Sequence, residues 1–245
     1  MSTLKDKVIL ITGSSKGMGA LMAQKMAEEG AKIIVNYVGG KPEADKVVDG
    51  IKKNGGNATA VQADVSKSDQ VKKLFDAAIA LYGRIDVLVN NAGIMHTKLI
   101  KDSTDDDFTS HFEVNVRGTF NTLREAATRL ADNGTIINFS SSVKRIMLPT
   151  YAIYSSTKAA VEQLTRVFAK EIGRGINVNA VAPGPTNTEL FVKGKTKEMI
   201  DRLASLSAFN RIGEPIDTVR VVLFLASDEA KWISAQTIGI NGGMA

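Results

Sequence analysis

Val8-Ile9-Leu10-Ile11-Thr12-Gly13-Ser14-Ser15-Lys16-Gly17-Met18-Gly19 decides the reading of this chain. Four consecutive apolar residues, Val8–Ile11, read as a short strand buried on both faces. A glycine-rich turn follows, and residues 18–29 read as a helix that Gly30 closes. A strand that passes through such a turn into a helix suits a pyrophosphate. The small residues let the backbone approach it, and the first N–H groups of the helix, with their dipole, point at it. The spacing here is G-x-x-x-G-x-G rather than the commoner G-x-G-x-x-G. An ordinary turn needs the same residues.

Outward from that stretch, strands and helices alternate to the end of the chain. Strands are expected at 33–35, 58–63, 85–89, 135–139, 176–181 and 237–240. Helices are expected at 41–54, 104–131 and 155–171. Ser66 lies three residues before Asp69, as in a capping box. Val71, Leu74, Phe75 and Ala78 then follow the spacing of a buried helix face, with Gly83 as the stop. Pro215 opens a last helix, with Val219, Val222 and Leu223 expected inward. The connections are too long for hairpins, so the fold class is α/β, a mainly parallel seven-stranded sheet with helices on both faces. The 245 residues hold five prolines, no linker and no repeat, and read as one domain, 1–245. Residues 187–210, rich in lysine, read as an insertion covering the carboxyl edge of the sheet as a substrate lid.

Composition excludes several function classes. With 44% hydrophobic and 23% charged residues, a disordered chain is excluded. The 31 basic against 26 acidic residues are a mild excess that suits an anionic small molecule. No aromatic-rich basic patch supports nucleic-acid binding, and none is expected. The absence of cysteine removes disulfides, thiol nucleophiles and thiolate metal sites. His96 and His111 are the only imidazoles, so no metal is expected. Residues 1–7 are polar, and the longest apolar run, 221–226, is far too short to span a bilayer. A soluble, cytoplasmic protein without a membrane partner is expected.

Four further groups carry chemistry. The end of the second strand is Asn36, where an acid would repel a 2′-phosphate. A neutral residue there, with Lys16 in the glycine turn and Lys41 beyond the strand, favours NADP(H). The alternative is that both lysines are merely solvated. Tyr154 and Lys158 are four apart on a good helix, so phenol and ammonium share a face, and the cation lowers the phenol pKa. Tyr37 and Lys41 have the same spacing, but Gly39 and Gly40 between them make a poor helical turn. Ser140-Ser141-Ser142 ends the fifth strand, either as a turn or as part of the ligand crevice. Asn90-Asn91-Ala92-Gly93 ends the fourth strand, and Asn115 sits inside a helix, an unfavourable place for Asn.

With these motifs in one register, the chain resembles the short-chain dehydrogenase/reductase family in its compact single-domain form, over essentially its whole length. The matching pieces are the Thr12 to Gly19 turn, Asp64-Val65, residues 90–93, Asn115, Ser141, Tyr154 with Lys158, and Pro183-Gly184 with Thr188. The nearest likenesses are NADPH-dependent carbonyl reductases and 3-oxoacyl-carrier-protein reductases. A non-catalytic sensor of NADP(H) is a further reading, against which the complete proton-transfer set speaks. The resemblance implies a Rossmann-type fold and an enzyme that reduces a ketone or aldehyde carbonyl. It also implies a role for each residue. Gly13, Gly17 and Gly19, with Ser15, Lys16 and Met18, would hold the pyrophosphate end of the cofactor. Asn36 would face the adenosine ribose, Asp64 and Val65 the adenine, and Asn91, with Ala92 and Gly93, the adenosine-side ribose region. Ser141 lies 13 residues before Tyr154, the family separation, and would bind the substrate carbonyl. Tyr154 would be the acid, Lys158 would hold the nicotinamide ribose, and Asn115 would hold a relay water. Pro183, Gly184, Thr186 and Thr188 would contact the nicotinamide end. A homotetramer is implied as well.

The chain departs from the family where Val143-Lys144-Arg145 stands in place of an early glycine. Those cations would attract an acidic substrate or sit in a solvated loop. Lys193, Lys195 and Lys197 would receive an acidic carrier protein or keep the lid soluble. Asp105-Asp106-Asp107 fits a solvated helix start better than a metal. Met147, Leu148, Met199 and Phe209 shape an apolar pocket or pack in the core.

Overall fold

A computed structural model describes residues 4–245; the first three residues of the polar N-terminal stretch lie outside the described residues. The sheet is built from β1 (Val8–Ile11), β2 (Lys32–Tyr37), β3 (Asn57–Gln62), β4 (Val87–Asn90), β5 (Thr135–Phe139), β6 (Asn177–Pro183) and β7 (Thr237–Ile240). The strand order is β3-β2-β1-β4-β5-β6-β7 and every pair is parallel. The order reverses between β1 and β4, which opens a crevice at their carboxyl ends.

The helices are α1 (Gly17–Glu28), α2 (Lys41–Lys53), α3 (Ser68–Tyr82), α4 (Asp105–His111), α5 (Gly118–Arg129), α6 (Val143–Ile146), α7 (Ala152–Glu171), α8 (Glu189–Val192), α9 (Lys197–Ala204) and α10 (Pro215–Ala226). Alternate strand residues feed two separate cores. Ile9, Ile11, Ile33, Val35, Val87 and Val89 pack with α1, α2 and α10. Leu10, Ile34, Leu88 and Ile136 pack on the other face with α3, α5 and the end of α7. Each such side chain contributes about 1.5–3 kcal/mol by leaving water. That is why the apolar runs are continuous rather than alternating.

Three local expectations need correction. Ser66 does not cap α3: the helix starts at Ser68, and its N-cap, Lys67, makes no side-chain bond. The Asp64 carboxylate instead accepts the Ser66 N–H at 2.9 Å, and the Asp64 carbonyl accepts the Lys67 N–H at 3.0 Å, so a turn occupies the capping position. The long helix expected over 104–131 is divided by a π-helical stretch, Phe112–Arg117, between α4 and α5. In α10, Leu225 is fully buried whereas Leu223 is only half-buried at the edge of the core.

Candidate active site

The glycine turn leaves β1 and enters α1 at Gly17, whose N-cap, Lys16, offers no side-chain bond to the first turn. The leading N–H groups of α1 therefore face the crevice without a side-chain cap. A Cβ on Gly19 would stand 2.5 Å from the Gly13 carbonyl and 2.7 Å from Asn91 Nδ2, so only glycine fits. The turn is held from beneath. Thr12 Oγ1 accepts the N–H groups of Asn91 and Ala92, both at 3.0 Å. The Asn91 amide donates to the Thr12 and Gly13 carbonyls, both at 2.9 Å.

Asn36 lies inside β2, not at its end, and is buried. Its Oδ1 accepts the Gly13 N–H at 3.1 Å, and its amide donates to the Ala63 carbonyl at 3.0 Å. The side chain braces the turn instead of facing a ribose. The strand tip that follows, Tyr37-Val38-Gly39-Gly40, still carries no carboxylate. Lys41 pairs with Asp45 at 2.6 Å, one helical turn away in α2. Lys16 and Ser15 stay at the mouth of the crevice, and Lys16 reaches Glu189 at 3.9 Å. Met18 packs against the core. Val65 is buried, its side chain against Gly118 and its carbonyl bonded to the Asn121 amide at 2.9 Å.

Across the crevice, β5 and α7 bring the proton-handling groups together. Of the serine triplet, Ser140 donates to Glu162 at 2.6 Å and Ser142 to the Ala182 carbonyl at 2.8 Å. Ser141 is the one that acts on the Tyr154 phenol, opposing its rise, while its Oγ accepts the Val143 N–H at 3.3 Å. Lys158 is buried, donates to the Phe139 carbonyl at 2.8 Å, and lies 5.7 Å from the centre of the Tyr154 ring. Burial pushes the Tyr154 phenol up to about 12, with the Ser141 bond opposing it, and brings Lys158 down to about 8. The expected net lowering of the phenol is thus not what the site shows: desolvation outweighs the cation, whose ammonium is turned to a carbonyl.

Asn115 sits in the π-helical stretch with its amide donating twice and its Oδ1 accepting once. Its Oδ1 accepts the Ile94 N–H at 2.8 Å, and its amide donates to the Ile94 carbonyl at 3.0 Å and to Thr157 Oγ1 at 3.1 Å. A Cβ on Gly93 would stand 3.1 Å from Asn115 Oδ1 and 3.5 Å from Lys158 Nζ, so the bare glycine marks the gap between them. Gly184, behind Pro183 at the end of β6, donates to the Ile240 carbonyl at 2.9 Å. Thr186 Oγ1 turns back to the Gly184 carbonyl, and Thr188 caps α8.

Residues 13–245 match the family model described as enoyl-(acyl carrier protein) reductase. A versicolorin reductase of Emericella nidulans is 43% identical over 98% of this chain and 96% of its own. The chain belongs to the short-chain dehydrogenase/reductase family. A short-chain dehydrogenase/reductase from Serratia marcescens superposes with a TM-score of 0.94 at 32% identity, over 99% of both chains. An angucycline C-6 ketoreductase with bound NADP superposes with a TM-score of 0.93 at 34% identity, over 99% of this chain and 96% of the other.

Other candidates in this short-chain dehydrogenase/reductase find structural duties. Lys144 pairs with buried Glu162 at 3.0 Å, so it is no free cation beside the substrate. Lys195 donates to the Phe191 carbonyl, and Lys197 pairs with Asp201. Asp107 completes a capping box with Thr104 and binds Lys98, which holds its carboxyl near 2. His111 is buried, bonded to the Asp107 carbonyl and to the His96 N–H. Among the described residues no group of three or more His, Asp or Glu is placed to hold a metal. Met147 and Phe209 are 79% and 71% exposed, so core packing does not explain them. Thr157 and Glu162 were not singled out from sequence, and Thr12 and Ser140 entered only as members of the glycine turn and the serine triplet. Glu162 had a signal, because it continues the i, i+4 series of Tyr154 and Lys158.

Proposed function

We propose that this protein is an NADPH-dependent reductase of a ketone or aldehyde carbonyl, and in reverse an alcohol dehydrogenase. The observation that carries the reading is buried Lys158 with its Nζ 5.7 Å from the centre of the Tyr154 ring and Ser141 acting on the same phenol, on the crevice opposite an uncapped helix start. The crevice fits the cofactor: at Gly17 a Cβ would meet nothing within 4 Å, so the turn is open there, and the β2 tip has no acid to repel a 2′-phosphate. Gly13, Ser15, Lys16, Gly17, Met18 and Gly19 would hold its phosphates, and Ala92, Gly93, Gly184, Thr186 and Thr188 would line its path. NADPH, when bound, supplies the hydride.

The chain supplies position and the proton. With the Ser141 and Tyr154 hydroxyls turned to a substrate carbonyl, its oxygen would be polarised by two donors. With a pKa near 12 the phenol keeps its proton at neutral pH, which suits an acid that gives it to a developing alkoxide. Lys158, charged below about 8, stabilises the tyrosinate left behind. Asn115 keeps residues 93–94 against α7 and is the candidate to hold a relay water. The exposed Met147 and Phe209 offer apolar surface for the substrate skeleton, with residues 187–210 as the cover. The Lys16–Glu189 contact joins that cover to the glycine turn. A homotetramer of cytoplasmic chains is the expected assembly.

The test is NADPH consumption over a panel of ketones, aldehydes and a 3-oxoacyl thioester, with Tyr154→Phe beside the unmodified protein. Turnover on simple carbonyls is expected to fall by about 10²–10⁴-fold in the variant, with NADPH affinity retained. Turnover that survives Tyr154→Phe removes the assigned acid, and a strong preference for the carrier-bound thioester replaces the simple carbonyl as substrate. NADPH binding without reduction of any carbonyl points to a sensor instead.

A further inference from the structure

Glu162 is 3% exposed, yet it is a carboxylate, and nothing in the proton transfer above uses it. It lies one helical turn beyond Lys158 and two beyond Tyr154, on the same face of α7. A buried carboxylate persists only when its charge is matched and its oxygens are bonded. Here Ser140 Oγ donates to Oε1 at 2.6 Å, Lys144 Nζ lies 3.0 Å from Oε2, and Arg166 reaches Oε2 from the outer side at 3.4 Å. Ser140 Oγ also touches the Lys158 carbonyl at 3.4 Å.

Two of these three partners flank Ser141. Ser140 precedes it at the end of β5, and Lys144 follows it in the first turn of α6. We infer that Glu162 is a positioning residue whose carboxylate pins both flanks of Ser141, setting that hydroxyl against Tyr154. The inference rests on the reductase reading, in which Ser141 polarises the carbonyl. Fixing Ser140 sets the start of the turn, and fixing Lys144 sets its end. The intervening Ser141 hydroxyl then has little freedom to leave the phenol. The other side-chain and backbone bonds of Ser142, the N-cap of α6, run to the Pro183 and Ala182 carbonyls and the Asn241 amide, none of them in α7.

The test is a mutant cycle between Lys144→Met and Ser141→Ala, read as single-turnover rates with NADPH and the best carbonyl of the panel. Lys144→Met is expected to slow reduction about tenfold to a hundredfold, since small displacements of a reacting group cost that much. NADPH affinity, read by fluorescence titration, is expected to stay within about twofold, because the glycine turn lies on the other side of the crevice. In the Ser141→Ala background, Lys144→Met is expected to change the rate no further. The paired variant Lys144→Met/Glu162→Met removes both charges together. It is expected to recover the melting temperature of the unmodified protein while the rate stays low. An equal slowing in both backgrounds, or full activity in the paired variant, overturns the inference and leaves the reductase reading intact. A Ser141→Ala protein as fast as the unmodified one overturns both.

Discussion

Lys158 bears its charge where its surroundings oppose it. Buried beneath the crevice, it has one carbonyl partner and a pKa of about 8, against 10.5 for the free side chain. The unfolded chain keeps that proton up to about 10.5, so between about 8 and 10.5 the unfolded state binds the extra proton. Stability contributed by this group therefore rises with pH across that window and is lost as pH falls through about 8. A shift of this size amounts to about 3 kcal/mol. Urea titrations of the unmodified protein and Lys158→Met are expected to diverge accordingly: from pH 8 to 10.5 the unmodified protein gains up to about 3 kcal/mol relative to the variant. A flat difference would mean that Lys158 is not desolvated. The identities of Tyr154 and Lys158 and their shared face were legible in the sequence, because i, i+4 geometry is local. The rise of the phenol pKa was not, because desolvation depends on everything packed around it.

At the scale of elements, the glycine turn is the least tolerant piece. The Cβ of Gly19→Ala would meet backbone, the Gly13 carbonyl and Ser14 Cα at 2.5 and 2.8 Å, besides the Asn91 amide. Backbone held on both sides cannot yield as a side-chain tip can. Gly19→Ala is expected to lose about 1–3 kcal/mol of stability from overpacking, with NADPH affinity down by about tenfold or more. Thermal melts and fluorescence titration read the two effects. The turn was visible in sequence because its glycines directly follow an apolar run. The π-helical interruption at Phe112–Arg117 was not, because a helical period continues through it and only the bonds of Asn115 to Ile94 and Thr157 reveal the detour. The false capping box at Ser66 failed for a similar reason, since Asp64 two residues earlier offered its neighbours competing bonds.

At the scale of the molecule, both faces of the sheet are covered, yet α5 and α7 keep apolar side chains outward. Phe120 and Val167 are 45% and 44% exposed on the helices adjoining Asn115 and carrying Lys158. In a homotetramer that pairs through these helices, both side chains leave water. Sedimentation of the unmodified protein is expected at four times the 26.2 kDa chain mass, and Phe120→Glu with Val167→Glu is expected to shift it to smaller species. A monomer at micromolar concentration would overturn the assembly.

The sequence by itself determined the seven strands, most of the helices between them, the glycine turn and the Tyr154–Lys158 face. Each of these follows from apolar runs, turn residues and spacings within a few positions. Tertiary structure alone decided that Asn36 braces the glycine turn and that Lys144 answers a buried carboxylate. Those outcomes depend on which strands lie side by side. Burial and charge pairing act between residues far apart in the chain, and a spacing rule carries no information about such neighbours.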